Sequence, residues 1–217
     1  MIGLKIGKNR GIKILCLGAH CDDIEIGCGG TILKLLKNSN NAEVNWVVFS
    51  SDSKREEEAR SCANIFLKNA GKKKIEIKNF SNGYFPFVGG EIKDYFENIK
   101  SKFPPDLIFT HYRKDLHQDH RTISELTWNT FRDHLILEYE IPKYDGDLGS
   151  TNLFVPLEYS ICKQKINNIL RSFKTQYDKH WFTEELFFSV LRIRGMESVS
   201  PSKYAEGFYC RKILMKL

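Results

Sequence analysis

Residues 12–30 read IKILCLGAHCDDIEIGCGG, and this stretch decides the fold. Ile12–Gly18 is an almost wholly apolar run of strand length closed by a glycine, the pattern of a β-strand buried on both faces of a parallel sheet. It gives way at once to His20, Asp22 and Asp23. Apolar positions at helical spacing follow (Ile32, Leu35, Leu36) and predict a helix over Gly29–Lys37. A buried strand leading through a polar turn into a helix is the opening of a β-α-β unit.

The alternation continues outward from there. Val44–Phe49 reads as a strand and Lys54–Asn69 as a helix, with an acidic first turn that suits the helix dipole and Gly71 as its C-terminal stop. Lys72, Lys73 and Lys74 read as a solvated loop, Ile75–Phe80 as a strand, and Tyr84, Phe85 and Phe87 as an aromatic loop. Ile92–Ser101 is a helix stopped by Pro104 and Pro105, Leu107–His111 a strand, and His120–His134 a helix. This order predicts an α/β fold: a single domain with a Rossmann-like, mostly parallel sheet flanked by helices. Ligands in such folds sit at the carboxyl ends of the strands. Beyond the core of about 12–134, residues 135–217 read as a less regular α+β extension. It has short strands around the turn Asp145-Gly146-Asp147, helices over Glu158–Phe173 and Glu184–Arg192, and a closing strand over Phe208–Leu214. No repeat or linker breaks the chain, so 1–217 reads as one domain.

Composition narrows the function. The 217 residues are 41% hydrophobic, which argues against wholesale disorder and for one sizeable core. No apolar run reaches the roughly 18 residues of a membrane span. The basic, then apolar N-terminus superficially resembles a signal peptide, but Lys13 interrupts it and it runs into His20, Asp22 and Asp23. It reads as the first core strand of a cytoplasmic protein. Lys and Arg number 33 against 27 acidic residues, net +6, but they are spread along the chain. That distribution argues against nucleic acid and suits an anionic small-molecule substrate equally well. Cys16, Cys21, Cys28, Cys62, Cys162 and Cys210 form no CxxC pair, so neither a zinc ribbon nor a thioredoxin motif is present, and they read as reduced, mostly buried residues.

Two polar clusters carry the chemistry: Gly18-Ala19-His20-Cys21-Asp22-Asp23 after the first strand, and His117-Gln118-Asp119-His120 after the fourth. His20 and Asp23 are three apart, as are His117 and His120, so each pair shares a face if its segment begins a helical turn. Imidazoles and a carboxylate converging with open positions make a catalytic divalent-metal site, with Zn2+ the first choice and another divalent metal such as Fe2+ the second. Asp22, next to the ligands and not needed as one, suits a general base. The glycines 27, 29 and 30 do not make a dinucleotide fingerprint, because Asp22, Asp23 and Glu25 intervene and would repel phosphates. Tyr84, Phe85, Tyr144 and Trp181 suit stacking on a sugar or base, although aromatics more often serve packing. His134 and His180 read as surface residues, and Asp115 as a brace for its loop.

GAHCDDIEIGCGGTI together with DLHQDHR resembles the PIG-L/LmbE-like family of zinc-dependent N-deacetylases, whose signatures are Ala-His-Pro-Asp-Asp followed by Gly-Gly, and His-Pro-Asp-His. Arg55-Glu56-Glu57-Glu58-Ala59 is similar to the family's Arg-x-Glu-Glu-Ala, and Arg194-Gly195-Met196-Glu197 and Tyr204-Ala205-Glu206-Gly207-Phe208 resemble tail motifs of sugar-acting members. Cys21 and Gln118 stand where the family has prolines. The resemblance implies His20, Asp23 and His120 as metal ligands and Asp22 as the base that deprotonates the attacking water. It further implies His117 as an imidazolium acid or oxyanion stabiliser, and Asp119 as a residue orienting a histidine. Arg55 follows as a substrate contact; apart from the resemblance, His111 at the end of the fourth strand and Glu206 in the tail are further candidate substrate contacts. The implied activity is removal of an N-acetyl group from an amino sugar or its nucleotide- or glycoside-linked form. The alternatives are an amidase for another small acylated amine and a non-catalytic sugar-binding relative. The implied partner is that small molecule; a homo-oligomer stays open.

Overall fold

The alternating segments do build one sheet. In the computed structural model, which describes residues 11–39 and 41–214, β1 (Lys13–Gly18), β2 (Glu43–Val48), β3 (Lys72–Ile77), β4 (Leu107–His111) and β5 (Leu135–Tyr139) are parallel. β6 (Leu153–Pro156) and β7 (Ala205–Cys210) add an antiparallel margin, giving the order β3-β2-β1-β4-β5-β7-β6. The winding direction reverses between β1 and β4, which lie side by side with Ile14 against Leu107 and Cys16 against Phe109. The carboxyl ends of these two strands therefore flank the switch point at which open α/β sheets bind ligands.

Strand alternation supplies both cores. Ile14 and Cys16 face the layer of α1 (Asp23–Asn38), α2 (Ser53–Phe66), α5 (Tyr159–Ser172) and α6 (Glu184–Glu197); Leu15 and Leu17 face α3 (Gly89–Lys102) and α4 (Gln118–Thr130). The domain is a single α/β sandwich of three layers.

Several boundaries differ from expectation, each for a physical reason. α1 begins at Asp23 rather than Gly29. Glycines argue against helix on propensity alone, but here they permit close approach: a Cβ at Gly27 would lie 2.1 Å from Cδ2 of Tyr139. Lys72–Lys74 are not a loop but the first half of β3, exposed on the edge strand of the sheet, where charged side chains deter edge-to-edge pairing. Gly71 does not cap α2, which ends at Phe66; its N–H reaches the Ala42 carbonyl at 2.9 Å and leads into β3. α4 ends at Thr130 rather than His134, and the parallel part of the sheet extends through β5. The closing strand is Ala205–Cys210 rather than Phe208–Leu214. All six cysteines are free, and only Cys210 is not fully buried. Among the described residues no helix is long and apolar enough to cross a membrane. The N-terminal residues 1–10 lie outside the described residues.

Candidate active site

The sheet register brings the two polar clusters together. β1 ends at Gly18, so His20 falls in the turn before α1, and its own N–H donates to Oδ2 of Asp23 at 2.6 Å. His117 precedes α4 as its cap, with Nδ1 accepting the Asp119 N–H at 3.2 Å, and His120 lies in the first turn of that helix. Across the gap, Nδ1 of His20 is 3.2 Å from Nε2 of His120. Asp23 closes the triangle, with Oδ2 3.5 Å from the His20 nitrogen and Oδ1 3.6 Å from that of His120.

The outer nitrogens decide what this triangle holds. Asp119 Oδ2 lies 3.3 Å from Nε2 of His20, and Asp115 Oδ2 lies 3.0 Å from Nδ1 of His120. Each carboxylate takes the ring proton on its own side and leaves the inward nitrogen with a bare lone pair. Two lone pairs and a carboxylate then face one another, an arrangement that repels itself without a cation. The spacing of 3.2–3.6 Å is that of donors around one small ion, since tetrahedral bonds of ~2.0–2.1 Å place ligand atoms roughly 3.3–3.4 Å apart. The residues fit a divalent metal.

The electrostatics agree. Burial works against a charged His20, yet its bonds to Asp119 and Asp23 push it up to about 10, so a cation entering the triangle takes the place of the proton on the inner nitrogen. His120 goes the other way, down to about 4, through burial and the neighbouring His111, and stays neutral. Burial opposes ionisation of Asp115, but its bond to His120 holds it down to about 2. Asp115 also accepts the His117 N–H at 2.8 Å and meets Lys143 at 3.1 Å, so it braces both the loop and the His120 ring.

Asp22 stands beside the triangle. Oδ1 accepts from Nη2 of Arg55 at 3.3 Å, while Oδ2 is buried with no hydrogen-bond partner among the described residues. Burial raises its pKa and Arg55 opposes the rise. His117 departs from the imidazolium expected of it. Its Nδ1 is an acceptor, and burial and His20 lower its pKa, so the ring is neutral with its proton on Nε2.

Two expected substrate contacts are buried against protein, His111 with its Nε2 3.2 Å from Asp23 Oδ2. His111 is fully buried under the site, its ring stacked on His120 at 3.9 Å and its Nε2 accepting the Ala19 N–H at 2.9 Å. Glu206 is buried on β7, where its oxygens accept the N–H groups of Gly30 at 2.8 Å and Thr31 at 2.6 Å, inside α1. Lys165 completes this strut, donating to Glu206 Oε1 and to the Ile26 carbonyl, both at 2.6 Å. Every polar atom of the pair is engaged with protein. Cys21 points away from the donors toward Ser50 and Ser51, and burial raises its thiol to about 12. Phe85 is buried beneath the aromatic loop, Tyr84 and Tyr144 are exposed, and His180 lies on the surface.

Sequence reasoning missed Glu25. It is fully buried in α1, and neither carboxyl oxygen has a hydrogen-bond partner among the described residues. Burial raises its pKa well above the ordinary 4.5, and the charges of Asp22 and Asp23 add to the rise. Folding thus favours the protonated form. That contribution is complete below the unfolded value and is lost as pH climbs through the folded one. Glu25→Gln should therefore stabilise the fold by on the order of 1–3 kcal/mol at pH 8 and by much less near pH 4.5. Thermal melts at the two pH values check this; an equal gain at both would refute the buried-carboxyl account.

A family model described as PIG-L: GlcNAc-PI de-N-acetylase matches residues 15–131, from β1 through α4. The chain is similar to the uncharacterized deacetylase YaiS of Escherichia coli (strain K12), 30% identical over 145 residues that span 62% of this chain and 76% of that protein. Among solved structures, N,N'-diacetylchitobiose deacetylase from Pyrococcus horikoshii superposes with a TM-score of 0.72 at 22% identity, covering 91% of this chain and 83% of that one. The zinc inhibited form of teicoplanin deacetylase Orf2 does so with a TM-score of 0.67 at 13% identity, covering 91% and 97%. At these identities the two structures share the fold.

Proposed function

The chain belongs to the PIG-L family, and from that premise we propose that it is a metal-dependent hydrolase removing an N-acetyl group from an amino sugar, free or nucleotide- or glycoside-linked. One observation carries the reading: the inward lone pairs of His20, His120 and Asp23 meet beside a buried, unpartnered carboxylate oxygen of Asp22. A divalent cation of the Zn2+ or Fe2+ kind, when bound by those three residues, supplies Lewis-acid activation of a water and of the amide carbonyl.

The chain's own groups do the rest. Asp22 Oδ2 takes the proton of the attacking water and returns it to the departing amine nitrogen, which leaves acetate and a free amine. Arg55 holds the other oxygen of that carboxylate, and its Nε is buried with no hydrogen-bond partner among the described residues. The Nε2–H of His117 faces the oxygen that gains charge as the carbonyl is attacked. Asp119 and Asp115 fix the two ligand imidazoles in the tautomers that leave their inner nitrogens bare. The free, largely buried cysteines suit a reducing compartment.

Mass spectrometry on a panel of N-acetylated sugars and nucleotide sugars tests the reading: acetate and the matching amine should form, and a chelator should abolish both. No acetate from any member by the metal-loaded protein would overturn it in favour of a binding relative. On the best substrate, Arg55→Ala should lower kcat/KM by about 10- to 100-fold with metal retained. Unchanged kinetics would remove Arg55 from the substrate site.

A further inference from the structure

The segment between β5 and β6 reaches the turn that carries the second polar cluster. Nζ of Lys143 lies 2.6 Å from both oxygens of Asp147 and 3.1 Å from Oδ2 of Asp115, the same oxygen that meets Nδ1 of His120 at 3.0 Å. Asp147 in turn accepts the Leu116 N–H at 2.7 Å. The side chains of Lys143, Asp147 and Asp115 are only 11%, 8% and 3% exposed. Ion pairs so withdrawn from water hold their geometry more firmly than surface pairs do. The segment is itself clamped at both ends by Arg194 of α6, which donates to the two oxygens of Glu140 at 2.6 and 2.7 Å and to the Gly149 carbonyl at 2.8 Å.

The turn needs such a hold. Leu116, between Asp115 and His117, is 57% exposed and offers no apolar anchor. Its backbone is tied by Asp147 and by Nη1 of Arg121, which donates to the carbonyls of Asp115 and Leu116 at 2.9 and 2.6 Å. Both Lys143 and Asp147 lie beyond residue 131, where the match to the family model ends. We propose that Lys143, seated on Asp147, is a positioning residue for the metal site. It holds Asp115 Oδ2 where that oxygen takes the ring proton of His120, and through Asp147 it steadies the turn leading to His117. This role rests on the metal site of the deacetylase reading and extends the residues that build it into the C-terminal part of the chain.

Charge and position act in opposite directions here, which makes the role measurable. Removing a cation beside a divalent-ion site favours the ion through Coulomb's law alone. Freeing Asp115 instead loosens the ligand that it orients, and losing an outer-shell partner costs about 10- to 100-fold in metal affinity. The test is competition titration with Zn2+ against a chromophoric chelator, together with the visible spectrum of the Co2+-loaded protein. Lys143→Gln and Lys143→Met, neutral side chains of similar reach, should each weaken Zn2+ binding about 10- to 100-fold and alter the Co2+ d–d bands. Lys143→Arg, which keeps a cation between the two carboxylates, should stay within about threefold of native. Thermal melts in chelator establish that each variant is folded at the titration temperature. Unchanged or tighter binding in the neutral variants, or an equal loss in Lys143→Arg, would overturn the positioning role and leave the metal site standing. A native chain that binds no Zn2+ would overturn the metal site and this role with it. Zinc bound as expected without acetate release from any substrate would overturn the deacetylase reading alone.

Discussion

Asp22→Asn is expected to keep its fold, its metal and its affinity for substrate, and to lose on the order of 10²–10⁴ in kcat. Asparagine preserves the side chain's shape and an oxygen for Arg55, whose Nη2 lies 3.3 Å from Oδ1 in the native protein. What it removes is basicity at Oδ2, the buried oxygen without a partner. Asp23→Asn should behave in the opposite order. Its carboxylate spans both histidines at 3.5 and 3.6 Å, so metal affinity falls first and excess metal restores part of the activity. Metal content by mass spectrometry alongside single-turnover rates separates the two. If Asp22→Asn lost metal while Asp23→Asn lost only turnover, the two roles would be exchanged.

His120→Ala should abolish most metal binding and with it essentially all activity. His120 supplies the bare nitrogen that faces His20, and it is common to both donor groups of the site, His20/His117/His120 and Asp23/His111/His120. The Nε2 of His111 is taken by the Ala19 N–H, and the Nδ1 of His117 by that of Asp119. Removing the ring also strips Asp115 of a hydrogen bond inside a nearly closed site, so stability should drop by roughly 1–3 kcal/mol. Isothermal titration with Zn2+ and a thermal melt in chelator read the two effects apart. Full metal occupancy in this variant would remove His120 from the ligand set.

The parts of this site visible in the sequence are those that depend on local spacing. The pairs His20/Asp23 and His117/His120 each follow a strand of unmistakable apolar character, and parallel order alone places both at one end of the sheet. What escaped depends on register and packing. His111 was legible as the last residue of β4, but its position beneath the metal site follows from β4 pairing with β1, which sets its ring against Ala19. Glu206 sits in a motif resembling the family's tail, and only the antiparallel placement of β7 shows its oxygens buried against α1. The neutral His117 follows from a bond to a backbone N–H two residues on. The start of α1 was hidden because its glycines answer to Tyr139 and Phe66, residues far off in the chain, rather than to helix propensity.

The strut formed by Lys165 and Glu206 gives the order of synthesis a bearing on when the enzyme can first work. Asp22 and Asp23 emerge early, at the amino end of α1, yet the backbone two turns further along that helix is tied to a lysine on α5 and a glutamate on β7. A nascent chain has β1, β4 and all three proposed ligands long before it has this brace. Until β7 is made and docked, the N–H groups of Gly30 and Thr31 lack their carboxylate and Lys165 lacks its counter-charge. The proposed ion site therefore depends on β7, a strand that follows all three of its residues in the sequence.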